Sequence, residues 1–169
     1  GCPFRGLLYG GLMKTRDGIK VIEFNCRFGD PETEVVLPRL ESDFYLMASA
    51  IADGTAMPPI KWSDECTLGF VMASEGYPGP YRKGFPIGGL TPDGLGVMDP
   101  EGNPLEGVRV YHMGTAASEE GFVTAGGRVL MVVGKAPCLR DARNKALEGV
   151  EGISCGHLFF RSDIGYQAV

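Results

Sequence analysis

The apolar segments of this chain are short, and glycine or proline cuts them at close intervals. That spacing limits the folds open to it more than any other feature. The 26 glycines and 12 prolines stand between apolar runs and form no low-complexity tract, so they imply many tight turns between short strands. Two strands are predicted first, over 5–13 and 20–28, around the turn Lys14-Thr15-Arg16-Asp17-Gly18, whose Asp-Gly pair is a hairpin signal in a loop longer than two residues. A helical stretch follows, with Asp30 as N-cap, Pro31 at the first helical position, and Glu32 and Glu34 near the positive end of the dipole. Pro38 interrupts it. Beyond the break, Leu40, Phe44, Met47 and Ile51 recur at helical spacing toward a stop at Gly54, and Met57-Pro58-Pro59 reads as a linker.

From Thr67 the character changes. Strands are predicted over 68–73, 108–111, 122–125 and 129–133. Thr124-Ala125-Gly126-Gly127-Arg128 reads as a hairpin turn, a helix is expected over 138–149, and a last short strand over 157–161. The fold class is therefore α+β, with a strand-rich C-terminal part.

Bulk properties remove several function classes. A net charge of −5 with interspersed charges lacks the basic stripe of a nucleic-acid binder and any basic run suited to an anionic membrane. No apolar run approaches the ~18 residues of a membrane-spanning helix, and the N-terminus has no signal-peptide pattern. Five cysteines, Cys2, Cys26, Cys66, Cys138 and Cys155, are odd in number and form no C-x-x-C pair. This argues against a zinc knuckle or a disulfide framework and for reduced thiols in a cytoplasmic setting.

The chemistry concentrates in Glu23-Phe24-Asn25-Cys26-Arg27-Phe28-Gly29-Asp30-Pro31-Glu32. Side chains alternate along a strand, so Glu23, Asn25 and Arg27 project to one face over about 13 Å, while Ile22, Phe24 and Cys26 are expected to face a core. A hard cation such as Mg²⁺ takes oxygen ligands, often only one or two from the protein with phosphates supplying others, and Glu23 and Asn25 meet that demand. Arg27 can hold a carboxylate or phosphate through two parallel bonds. Gly29 permits a sharp turn, and a helix N-terminus beyond it favours anions. Taken alone, E-x-N-x-R is also what a solvated edge strand displays.

The whole run changes the balance, because it resembles the metal-and-substrate strand of the glycinamide ribonucleotide synthetase family (the phosphoribosylamine–glycine ligases), members of the ATP-grasp class. The resemblance extends, in the family's order, through Leu8-Tyr9-Gly10-Gly11-Leu12-Met13, Gly76-Tyr77-Pro78-Gly79 with Tyr81 and Lys83-Gly84, His112 to Thr115, Thr124 to Leu130, and Arg161-Ser162-Asp163-Ile164-Gly165. Gln167 stands where an arginine is frequent, and Pro80 replaces a common acidic residue.

The resemblance implies that residues 1–60 are the C-terminal piece of an ATP-grasp domain, carrying the metal-binding strand and a helix. Residues 61–169 would then be a small strand-rich C-terminal domain of the rudimentary hybrid-motif type. It implies an ATP-dependent carbon–nitrogen ligase joining glycine to 5-phosphoribosylamine in purine biosynthesis. Glu23 and Asn25 would bind Mg²⁺ or Mn²⁺, Arg27 would anchor the acyl phosphate or a substrate anion, and Asp30 and Glu32 would be second-tier polar contacts. In the family the nucleotide-binding half precedes such a segment, so the chain alone is expected to be inactive and to self-associate through its first strands. Two alternatives stand beside this: another ATP-grasp ligase, such as a carboxylase, and a non-catalytic binding module of the same fold. His112 and His157 lack metal-ligand spacing and are expected to pack or face solvent. Tyr77 and Lys83 are substrate-approach candidates in what is equally a structural turn, and Trp62 is expected to pack a domain seam.

Overall fold

The computed structural model describes residues 1–168 and divides the chain into two compact units, Gly1–Ser63 and Asp64–Val169. The first opens with a hairpin of β1 (Tyr9–Thr15) and β2 (Gly18–Asn25), paired from Thr15↔Gly18 outward. Only Arg16 and Asp17 lie between the strands, so the loop is shorter than the five residues expected. Gly18, at φ 100°, supplies the positive backbone angle that closes so tight a loop. A short helix α1 (Thr33–Val36) and a 3₁₀ turn (Leu37–Arg39) follow, then helix α2 (Phe44–Asp53).

Asp30 does not cap a helix at Pro31. The N-cap of α1 is Glu32, because Gly29 to Glu32 form a turn whose carbonyls accept from Thr33 and Val36. Leu40 likewise falls outside α2. Asp43 begins that helix by accepting from the Leu46 amide at 3.0 Å, and Gly54 ends it at φ 67°.

The second unit is built on an antiparallel four-stranded sheet ordered β5 (Val108–His112), β8 (Arg128–Ala136), β3 (Cys66–Ser74), β9 (Leu158–Phe159), with helix α3 (Leu139–Gly152) against it. Alternation on the central strands sends Leu68, Phe70 and Met72 of β3 and Leu130 and Val132 of β8 into one core with Ala142, Ala146 and Val150 of α3. Gly134 lets the helix backbone come close: a Cβ there would lie 2.1 Å from the Ala142 carbonyl oxygen. A second sheet, ordered β4 (Pro86–Ile87), β7 (Gly121–Thr124), β6 (Thr115–Ser118), completes the unit.

The turn expected at Thr124–Arg128 is not a hairpin, since β7 pairs with β4 and β6 while β8 pairs with β3 and β5. Ala125–Gly127 instead crosses from one sheet to the other. Ala125 and Gly126 donate to the Gly114 carbonyl, and Ser74 donates to Gly126 and Gly127. Among the described residues, no helix is long and apolar enough to cross a membrane.

Candidate functional site

Register decides what stands beside Glu23. From the turn outward the hairpin pairs Thr15↔Gly18, Met13↔Lys20 and Leu12↔Val21, then Gly11↔Glu23 and Tyr9↔Asn25, so Ile22 is an extra residue on β2. A bulge of this kind reverses which face the following residues occupy. Without it Tyr9 would oppose Phe24; with it, Glu23, Asn25, Gly11 and Tyr9 share one face. The opposite face carries Leu12, Ile19, Val21 and Phe24, between 55% and 69% exposed. Ile22 and Cys26 are exposed as well. The expected core behind Glu23 and Asn25 is therefore not there, because a two-stranded sheet has no layer of its own to cover an apolar face.

On the polar face the Asn25 amide donates to Glu23 Oε1 at 2.9 Å. Facing Glu23 across the ladder, Gly11 presents no side chain, and a Cβ there would lie 3.2 Å from Glu23 Cγ. Tyr9 reaches forward, and its hydroxyl donates to Glu32 Oε1 at 3.0 Å. That bond, with lesser contributions from desolvation and from the charges of Glu32 and Glu23, raises the Tyr9 pKa above its ordinary value. The other oxygen of Glu32 occupies the space a side chain would take at Gly29, 2.1 Å from an ideal Cβ. The Thr33 hydroxyl then donates to the Gly29 carbonyl. Arg27 lies past the end of β2 and donates to the Phe28 carbonyl at 2.7 Å. Asp30 sits in the same turn, followed by a cis peptide to Pro31.

Two groups of expected site residues result: Glu23 hydrogen-bonded to Asn25 on β2, and Glu32 joined to the neighbouring strand β1 through Tyr9. The oxygens of Glu23 and Asn25 suit a hard cation. Gly11 presents no side chain toward them, and among the described residues there is no group of three or more His, Cys, Asp or Glu that could hold a metal ion. Sequence reasoning missed Tyr9 and Gly11. Pairing outward from the Asp-Gly turn would have placed both near the site, but the bulge at Ile22 has no sequence signature.

In the second unit the Gly76–Gly79 turn packs on the inter-sheet crossing. The Tyr77 ring lies where a side chain at Gly127 would fall, 2.3 Å from an ideal Cβ. Beside it a cavity of about 330 Å³ is lined by Glu75, Tyr81, Arg82, Phe85 and His157 among others. His157 stacks on Phe85 with ring centroids 3.6 Å apart and approaches Glu75 at 3.5 Å. Lys83 extends over Tyr81, 5.8 Å from its ring centroid. His112 is held by Thr115 Oγ1 at 2.8 Å and the Gly94 carbonyl at 2.9 Å, the packing role expected of it. Trp62 forms a bridge with Leu40 and lines a second cavity with Val35, Val36 and Arg39.

The family model described as phosphoribosylglycinamide synthetase, C domain, matches residues 67–167, well over half of the chain. The chain belongs to the phosphoribosylglycinamide synthetase family. The ATP-grasp (A) domain model of the same family matches residues 1–33, the stretch that holds Tyr9, Gly11, Glu23, Asn25 and Glu32. The chain is 46% identical to the phosphoribosylamine–glycine ligase of Halalkalibacterium halodurans, over 98% of this chain and 36% of that protein. It is 44% identical to the trifunctional purine biosynthetic protein adenosine-3 of Gallus gallus, over 100% of this chain and 16% of that one. The crystal structure of phosphoribosylamine–glycine ligase from Thermotoga maritima superimposes with a TM-score of 0.74 at 30% identity, covering 92% of this chain and 36% of that one. The chain thus spans about a third of the length of the ligases it matches.

Proposed function

We propose that this chain is the C-terminal portion of a phosphoribosylamine–glycine ligase, which joins glycine to 5-phosphoribosylamine at the expense of ATP and releases ADP and phosphate. Residues 1–60 complete an ATP-grasp domain and residues 61–169 form the C-terminal domain. The observation that carries this reading is the hydrogen-bonded Glu23–Asn25 pair on an open strand face, inside the stretch that matches the ATP-grasp domain.

Glycine's carboxylate attacks the γ-phosphorus of ATP, ADP leaves, and glycyl phosphate forms. The amine of 5-phosphoribosylamine then adds to the acyl carbon and expels phosphate, and the proton it sheds passes to solvent or phosphate. Phosphoryl transfer of this kind is governed by positioning and charge neutralisation. Glu23 and Asn25 hold Mg²⁺ or Mn²⁺, which supplies positive charge against the phosphate oxygens when bound. Arg27 anchors the acyl phosphate or a substrate anion, exchanging its bond to the Phe28 carbonyl for a charged one, which is the stronger interaction. Asp30 and Glu32 support it as second-tier polar groups.

The partners are then glycine, 5-phosphoribosylamine and ATP, with no nucleic acid and no membrane, in a cytoplasmic setting that suits five unpaired thiols. Alone, the chain is inactive and self-associates through β1 and β2.

The test is Glu23→Gln in a ligase polypeptide carrying this chain and a complete ATP-grasp domain. Losing one anionic ligand without a change of shape should lower turnover roughly 10²–10³-fold, the scale for removing one preorganised electrostatic group, while the thermal midpoint holds. Wild-type turnover at limiting Mg²⁺ would refute the assignment.

A further inference from the structure

We propose that Tyr9 is a positioning residue of this site, a latch that holds the Gly29–Glu32 turn against the strand bearing Glu23 and Asn25 by donating its hydroxyl to Glu32. The inference deepens the ligase reading above and rests on it.

Three observations carry it. First, the bulge at Ile22 brings Tyr9 opposite Asn25, so the ring rises from the same face as the proposed cation ligands. Second, the hydroxyl ends on Glu32 Oε1, 23 residues along the chain and beyond the turn. It is a long-range side-chain bond that joins the hairpin to the segment leading into α1. Third, Glu32 Oε2 lies over Gly29, in the place a side chain there would take, and Thr33 closes the same turn onto the Gly29 carbonyl. With one carboxylate oxygen on Tyr9 and the other over Gly29, Glu32 spans the turn that contains Asp30 and begins just after Arg27.

The consequence is a division of labour. Glu23 and Asn25 are placed by their strand. Arg27 and Asp30 lie on irregular chain, and their placement depends on how the turn is anchored. An anchor of this kind acts through orientation, and the loss of such supporting bonds typically costs about 10–100-fold in activity or metal affinity. Glu32 acts here by accepting a hydrogen bond, which an amide oxygen also does.

The experiment is a double-mutant cycle in the longer ligase polypeptide, with Tyr9→Phe, Glu32→Ala and the double variant, and with Glu32→Gln as the conservative replacement. Expected are a fall in kcat of about tenfold for Tyr9→Phe with KM for ATP unchanged, a similar fall for Glu32→Ala, and no further fall in the double variant. Glu32→Gln should lose less turnover than Glu32→Ala, because it retains an acceptor and the shape. With kcat expressed per titrated active site, a purely structural hydroxyl would lower stability or the active fraction and leave that kcat unchanged. Wild-type kcat in Tyr9→Phe, multiplying losses in the double variant, or Glu32→Gln as impaired as Glu32→Ala would each overturn the proposal. The last contrast keeps Tyr9 in place, so it decides the matter even if the Tyr9 variant folds poorly. Glu23→Gln run in parallel reports on the cation ligands alone. An active Glu23→Gln enzyme removes that assignment, while the cycle still returns its own answer on Tyr9 and Glu32.

Discussion

Gly11 offers a way to move a proposed cation ligand without touching it. Its backbone is not in the positive-φ region, so alanine is conformationally allowed, and an ideal Cβ meets the Glu23 backbone at 3.6 and 3.7 Å, which is ordinary contact. The close approach is to Glu23 Cγ, at 3.2 Å, against a usual carbon–carbon separation of about 3.5–4.0 Å. Because the strand ladder is undisturbed and the Glu23 side chain is exposed, relief comes from rotating Glu23, which displaces its carboxylate by about half an ångström. If about 1 Å of misplacement can cost a hundredfold in rate, half of that corresponds to roughly tenfold, or about 1.4 kcal/mol on the barrier. Stability should move the other way, since alanine in a strand interior is about 0.5–1 kcal/mol better than glycine.

Gly11→Ala is therefore expected to yield a ligase that is at least as stable as the parent and about tenfold slower, with an increased requirement for divalent cation. Gly10→Ala is the matched control. It lies on the opposite face, where a Cβ meets the exposed Phe24 ring at 3.5 Å, and its turnover should stay within about twofold. Thermal melts and turnover measured across a Mg²⁺ titration suffice. Equal turnover in the two variants, or a loss in Gly11→Ala that merely follows a lower melting temperature, would show that the face shared by Gly11 and Glu23 is not where the cation acts.

Two further outcomes test the frame around the site. Gly134→Ala places a Cβ 2.1 Å from the Ala142 carbonyl oxygen and 2.6 Å from the Ala146 nitrogen; helix backbone cannot swing aside as a side chain can, so urea unfolding should show a loss of about 1–3 kcal/mol. Gly156→Ala, with nothing within 4 Å, should be neutral, and equal effects would mean that α3 does not seat on β8 as described. The isolated chain should show protection from hydrogen exchange that rises with protein concentration selectively within residues 5–28, as expected if open strand edges pair with a second copy. Uniformly strong protection in a strict monomer excludes that association.

Much of the second unit was legible because its buried strands are apolar: β3 is buried chiefly at alternate positions, and β8 is buried on both faces from Val129 to Gly134. Phe70, Val110, Leu130 and Val132 are fully buried; Leu130 and Val132 sit in an apolar run ended by Gly134, Phe70 in one opened after Gly69, and Val110 in the alternating segment Val108-Arg109-Val110-Tyr111. The strands Pro86–Ile87 and Thr115–Ser118 were not legible. The first is two residues long and begins with proline. The second carries Thr, Ala, Ala and Ser, with no apolar period to detect. The inter-sheet crossing was mistaken for a hairpin turn because two glycines between strands signal a change of direction without saying which strand receives the chain.

In the first unit the E-x-N spacing put Glu23 and Asn25 on one face correctly. The partners across the ladder were hidden, since one unpaired residue, Ile22, changes every cross-strand neighbour beyond it. The Asp30 cap failed for a local reason: Gly29 and Glu32 already supply the carbonyls that the first helical amides need.

The two kinds of structure also separate the sources of stability and of chemistry. The hydrophobic cluster of buried residues belongs to the segment from Leu68 to Ile153, whereas the proposed ligands and anchors fall between Tyr9 and Glu32. A two-stranded hairpin is marginal in water, and in this chain the apolar face behind Glu23 and Asn25 is exposed. Among the described residues their geometry is tied by side-chain bonds, three of them local (the Thr15 hydroxyl to the Gly18 carbonyl, Asn25 to Glu23, and Thr33 to Gly29) and one, Tyr9 to Glu32, spanning 23 residues. Each tie is a single hydrogen bond on exposed or half-buried chain, contributing on the order of 1 kcal/mol. Removing one should therefore shift the site long before it unfolds the protein. Substitutions in residues 9–33 should consequently show themselves in kcat and cation dependence, and substitutions in the buried strands of the second unit in melting temperature. A substitution such as Tyr9→Phe that lowered melting temperature without changing kcat would break this separation at its most exposed point.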